Sequence, residues 1–236
     1  MPFPTLSQNQ NYPLDYHKKV VSSQQKHFQI IKIMAQNKTN NQFSIFGCGY
    51  RNPKGQAVLA VKPEGATDIA HVYQFIISDQ AKAATNRLRE MAEQSATREE
   101  LSDYKKLNFR IATFSGTFSY RNAKSLTERS PYLVIDVDDL ESEAEARLLM
   151  QRFISDPYVE TELCFLSPKG RGVKWVISLP EWWQNLDFRL QFEAARQHVI
   201  FNYGIPVDTS GSDVCRACFL PCDPQCYVNP KHMSNK

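Results

Sequence analysis

The chain has 236 residues, 42% of them hydrophobic, and a formal net charge of +3. That length allows one large α/β domain or two small lobes sharing a core, and the charge is too small to argue for polyanion binding by itself. No run of about 18 apolar residues marks a membrane span. Met1 to Gln10 also lack the charged start and apolar stretch of a secretory signal. No membrane partner and a cytoplasmic, reducing setting are therefore expected, with the six cysteines as thiols.

Residues 1–41, rich in Asn, Gln, Ser and Lys, read as a flexible arm with one amphipathic docking segment, Phe28 to Met34. From Gln42 the pattern tightens. Phe43 to Phe46 alternates like a strand, and Ala57 to Val61 reads as its hairpin partner across Asn52-Pro53-Lys54-Gly55. Thr67-Asp68 can cap a helix running to about Ile77. Asp79 opens a longer helix with Ala81, Ala84, Leu88 and Met91/Ala92 on one face, and Thr97-x-x-Glu100 is a capping box for a third.

The second half alternates strand and helix. Tyr132 to Val137 is an apolar strand. Ala146, Leu149, Met150 and Phe153 mark the buried face of a helix that Asp156-Pro157 ends. Glu162 to Leu166 and Val173 to Ser178 read as a hairpin around a Gly-rich basic loop. Phe188, Phe192, Ala195 and Val199 face inward on a helix that Gly204 suits as a cap. A last strand is expected over Val214 to Leu220. This order, β-α-β-β-α-β, implies an α+β fold: a ferredoxin-like (RRM-like) sheet at 129–236 beside an αβ module at 42–128. The tandem Trp182-Trp183 reads as a lobe-boundary pair.

Ile135-Asp136-Val137-Asp138-Asp139 is the most informative stretch. Strand alternation puts Asp136 and Asp138 on one face. Two carboxylates so placed repel unless a cation joins them, and Mg2+ or Mn2+ sites use one or two carboxylates plus substrate phosphates. Asp139 reads as an acid at a helix start. Ser167-Pro168-Lys169-Gly170-Arg171-Gly172-Val173-Lys174 gathers three cations and two glycines, whose amides can approach phosphate oxygens. Pro206-Val207-Asp208 adds an acid after an apolar pair, and Arg216 follows. Cys215-x2-Cys218-x3-Cys222-x3-Cys226 has zinc-like spacing. Strand parity would put Cys215 and Cys218 on opposite faces, so core packing is the expectation there.

In this order the three stations resemble the archaeo-eukaryotic primase (primase-polymerase) superfamily, and within it the VirE N-terminal type of domain found in mobile-element proteins. Val134-Ile135-Asp136-Val137-Asp138 is similar to its acidic strand. Residues 167–175 are similar to its hairpin, and Val207-Asp208 with Cys215 to Pro221 to its third motif. Phe114 to Arg121 also looks like a segment of this group. The resemblance implies template-directed nucleotidyl transfer with nucleoside triphosphates on a nucleic-acid template, by a two-metal mechanism. It implies Asp136, Asp138 and Asp208 as metal ligands, and Ser167, Lys169, Arg171 and Arg216 as nucleotide-binding residues. The hairpin position that often carries His holds Lys174, expected in the same cleft as a phosphate clamp and partner of the acids. A lysine is no neutral proton acceptor, which favours the alternative of a non-catalytic nucleotide or nucleic-acid binding module recruiting a replicative helicase. A phosphohydrolase using Asp136 is a further alternative.

Overall fold

The computed structural model describes residues 40–179 and 186–233. Nearly all of the arm expected at 1–41, its docking segment and the Trp182-Trp183 pair lie outside the described residues. Two four-stranded antiparallel sheets organise the rest as an α+β fold. The first is built from β1 (Phe43–Phe46), β4 (Gly65–Thr67), β5 (Ile111–Thr113) and β11 (Cys218–Phe219), in the order β11-β5-β1-β4. The second holds β8 (Tyr132–Val137), β9 (Thr161–Leu166), β10 (Val173–Ser178) and β12 (Tyr227–Val228), in the order β12-β9-β10-β8. Two small hairpins, β2 (Tyr50–Arg51) with β3 (Ala57–Val58) and β6 (Gly116–Phe118) with β7 (Leu126–Arg129), sit beside them.

The helices follow their capping signals. In α1 (Ile69–Ile77) Asp68 accepts from the His71 amide. A 3-10 turn at Asp79–Ala81 leads into α2 (Lys82–Glu93). The Thr97/Glu100 capping box closes the start of α3 (Arg98–Asn108) in both directions. Ser142 caps α4 (Glu143–Ile154), and Asp187 starts α5 (Phe188–Tyr203), which Gly204 ends at φ +69°.

Alternation along β8 splits the core. Leu133, Ile135 and Val137 join Val173, Trp175 and Ile177 of β10 on one face, under the apolar stripes of α4 and α5. Trp175 stacks on Phe153 at 4.3 Å and donates its indole N–H to Thr161. The other face carries Tyr132, Leu163, Phe165 and Val176, and packs on Phe43, Ile69, Val72, Ala112 and Phe114 of the first module. The second sheet is thus the middle layer, and residues of β8 and β10 on its second face look into the first module.

Two expectations are corrected. Ala57–Val58 does not pair with β1; it pairs with Tyr50–Arg51, while β1 pairs with β4 and β5. The Asn52-to-Gly55 turn is real, but it serves β2 and β3. After β1 the missing side chain of Gly49 lets the backbone come close to the carbonyls of Val58 and Lys106. The last strand is also not Val214 to Leu220. Only Cys218–Phe219 is strand, and it joins the first sheet, whereas the edge of the second sheet is filled by β12 against β9. Between them Asp223, fully buried, receives a two-pronged ion pair from Arg147 at 2.7 and 3.0 Å and the Leu166 amide at 2.8 Å.

Candidate functional site

Asp136 is the last polar residue of β8 on the face that meets the first module. It stands directly across from Lys174 of β10 in the antiparallel register. Cross-strand neighbours on one face touch. The Lys174 ammonium lies against Asp136 Oδ1, and it is 3.7 Å from Asp138 Oδ1. Burial works against that ammonium, but Asp136 and Asp138 together outweigh it and hold its pKa above the ordinary lysine value. As expected from parity, Val173 and Trp175 point the other way, into the helical core.

Asp208 reaches the pair from a loop. Its amide donates to the Asp136 carbonyl at 3.1 Å, which fixes the loop to the free edge of β8. Its carboxylate then caps the 3-10 turn at Thr209–Ser212, accepting from the Ser210 amide and hydroxyl, and pairs with Arg216 at 3.0 Å. Burial opposes its ionisation, yet these hydrogen bonds and Arg216 keep its pKa below the usual aspartate value. Gly211 is required behind the turn, since a Cβ there would meet the Phe192 ring at 2.4 Å. The result is one oxygen from each of Asp136, Asp138 and Asp208, all within 4.8 Å of one another. That spacing suits a single hard cation with oxygen ligands.

Asp136 and Asp138 open into a pocket of about 200 Å³, lined also by Ser167, Lys169, Lys174 and Arg216, the last of which ties Asp208 to its edge. The Ser167 hydroxyl is buried and has no hydrogen-bond partner among the described residues. A buried donor of this kind is free to give a hydrogen bond to whatever enters the pocket. The hairpin is held close to β8 by Gly172, where a Cβ would lie 2.5 Å from the Val137 carbonyl and 3.0 Å from both Asp138 Oδ1 and Ser167 Oγ.

Not every predicted residue joins the pocket. Arg171 turns away and donates to the Leu140 carbonyl at 2.8 Å, where it braces the entry to α4. Lys169 lines the pocket but is drawn sideways to Asp139 at 3.1 Å, a residue in the left-handed conformation at φ +57°. The Gly170 amide is not available to a phosphate: the residue adopts φ +80° and its N–H closes the turn onto the Ser167 carbonyl. Of the cysteines, Cys215 lines the pocket beside Asp213, while Cys218 and Cys226 pack in the core between the sheets.

Sequence reasoning missed Lys105 and Arg121, which the first module contributes to the same pocket. Lys105 pairs with no carboxylate among the described residues, and its ammonium sits 5.6 Å from the Phe219 ring centre. Burial, then repulsion from Lys174, pulls its pKa down. Nothing local distinguishes Lys105 from the other charges of a polar helix. Arg121 closes the segment from Phe114 that the family resemblance picks out, and its Nε is anchored on the Ala60 carbonyl.

Among the described residues no helix is long and apolar enough to cross a membrane. No curated protein and no solved structure matches the chain. Residues 102–228, which carry the three converging carboxylates, the basic hairpin, Lys105 and Arg121, match the family described as BT4734-like, N-terminal domain. This family is VirE N-terminal-like, and the chain belongs to it.

Proposed function

We propose that the pocket binds a divalent cation with a nucleoside triphosphate and performs nucleotidyl transfer on a nucleic-acid template, as in primase-polymerases. The observation that carries this reading is the meeting of Asp136, Asp138 and Asp208 within 4.8 Å, beside a pocket that Asp136 and Asp138 line together with a partnerless buried Ser167 hydroxyl. A pure polyanion binder gains nothing from three carboxylates facing its ligand. Asp136, Asp138 and Asp208 would hold Mg2+ or Mn2+, which when bound offsets charge on the transferring phosphoryl group. Around it Lys105, Lys169 and Arg216 supply positive charge for the phosphates, and Ser167 a hydrogen bond. Arg121 lines the same pocket and would meet the phosphates or a template strand.

A second reading has its own support. Lys174 already compensates Asp136 and Asp138 without any ion, as suits a module that binds nucleotide or nucleic acid and recruits a replicative helicase without chemistry. Primer extension and de novo synthesis assays with Mg2+ and with Mn2+, run beside an Asp136→Ala/Asp138→Ala control, decide between them. Product that depends on metal and template, and is lost in the control, supports transfer. Triphosphate binding without product supports the binding module. Phosphate release without template would point instead to hydrolysis.

A further inference from the structure

The number of cations the pocket can take follows from where Lys174 stands. A two-ion site needs its ions about 3.5–4 Å apart, with carboxylate oxygens shared between them. The two acids available for sharing, Asp136 and Asp138, are the two that flank the Lys174 ammonium. Only 8% of that side chain is exposed, and its backbone is held in register opposite Asp136, one residue into β10. A second dication between those acids would meet a fixed positive charge instead of an open ligand position. Charge points the same way: Lys174 and Arg216 already pair with the three carboxylates, and Lys105, Lys169 and Arg121 line the same pocket, so no surplus of negative charge is left to draw in a second dication. The Ser167 hydroxyl, buried and without a hydrogen-bond partner in the same pocket, is a second, independent feature that a bound ligand would satisfy.

We propose that the Lys174 ammonium permanently stands in for one ion of a two-ion centre, so that the pocket takes a single divalent cation, held by Asp138, Asp208 and the oxygen of Asp136 that Lys174 leaves free. This rests on reading the pocket as a cation and nucleotide site, and it replaces the two-metal form that the family resemblance implies.

The test uses the full chain with Mn2+ alone. Bound ions are counted by equilibrium dialysis, and their electron paramagnetic resonance spectrum shows whether they are isolated or coupled in pairs. The wild type should bind one Mn2+ per chain with the spectrum of isolated ions. Lys174→Met, which keeps length but removes charge, should bind two with a coupled spectrum. Lys174→Arg should remain at one. Asp208→Asn should weaken binding by about tenfold or more. Two Mn2+ in the wild type, none at all, or a Lys174→Met variant that still binds one would overturn the proposal. Should Lys174→Met not fold, the wild-type count decides alone. A chain that binds one Mn2+ but extends no primer upholds this inference and sinks the catalytic reading. A chain that extends primers while binding a coupled pair does the reverse.

Discussion

Asp136→Asn and Asp138→Asn should separate stability from cation binding. Each removes one carboxylate charge from the pocket, so each should lose most Mn2+ binding. Their effects on folding should differ, because the side chain of Asp136 is 15% exposed and that of Asp138 42%. Asp136→Asn leaves the buried Lys174 ammonium with Asp138 alone, 3.7 Å away. At an effective dielectric near 20, a unit pair at that distance attracts by roughly 4–5 kcal/mol. Taking an ammonium out of water costs several kcal/mol, so Asp138 by itself barely compensates it. The expected loss is about 3 kcal/mol, the lower end for breaking a buried pair. Asp138→Asn leaves the closer contact intact and removes a half-exposed partner, for about 0–1 kcal/mol. Adding Lys174→Met to Asp136→Asn should recover most of the loss, since no uncompensated charge then remains. Urea denaturation at neutral pH, compared at a common slope, measures all three. Equal losses for the two single variants, or a double variant less stable than Asp136→Asn, would refute the account of Lys174 as a buried charge sustained chiefly by Asp136.

Gly172→Ala should cost about 1–3 kcal/mol by overpacking against the Val137 carbonyl, and should weaken triphosphate binding by displacing Asp138 and Ser167. Gly170→Ala, at φ +80° but facing only the movable ends of Arg89 and Glu143, should cost about 1 kcal/mol and leave binding unchanged; thermal melts with a nucleotide titration distinguish the two. Glu162 is fully buried in β9, and burial pushes its carboxyl up, yet His232 and Lys231 outweigh this and hold its pKa below the usual value. With the folded pKa below the unfolded one, its contribution is full above about pH 4.3 and is lost as pH falls through the folded value. The urea midpoint followed from neutral pH to about pH 3 should therefore fall less steeply in Glu162→Gln than in the wild type.

What the sequence revealed depended on the length of each signal. The strand at Tyr132–Val137, the helix at Glu143–Ile154 and the hairpin flanking residues 167–172 lie where apolar alternation and capping residues put them. These elements position Asp136, Asp138, Ser167 and Lys174, so the sequence pattern alone puts these four side chains near one another. Two- and three-residue strands carry no period to read, which is why the partners of β1 and the short β11 were misplaced. The family resemblance puts Asp208 beside the pair, though the backbone hydrogen bond to Asp136 that holds it there has no sequence signature. Lys105 arrives from a helix more than 30 residues upstream of Asp138, and its burial comes from the packing of the two modules. The opposite error concerned Arg171 and Gly170, residues typical of phosphate loops that here brace the hairpin itself.

The segment from Cys218 to Val228 gives one strand to each sheet, and between them it buries Asp223 against Arg147. During synthesis, β5 and β9 must each wait with an unpaired edge until this late stretch has left the ribosome. Up to that moment both sheets are open to pairing with other chains, the usual hazard of exposed edges. The same crossing ties the two sheets together through one short segment. A cut or frameshift before residue 218 would leave both sheets incomplete at once, so a truncated product of this gene should aggregate or be degraded instead of surviving as a half-working lobe.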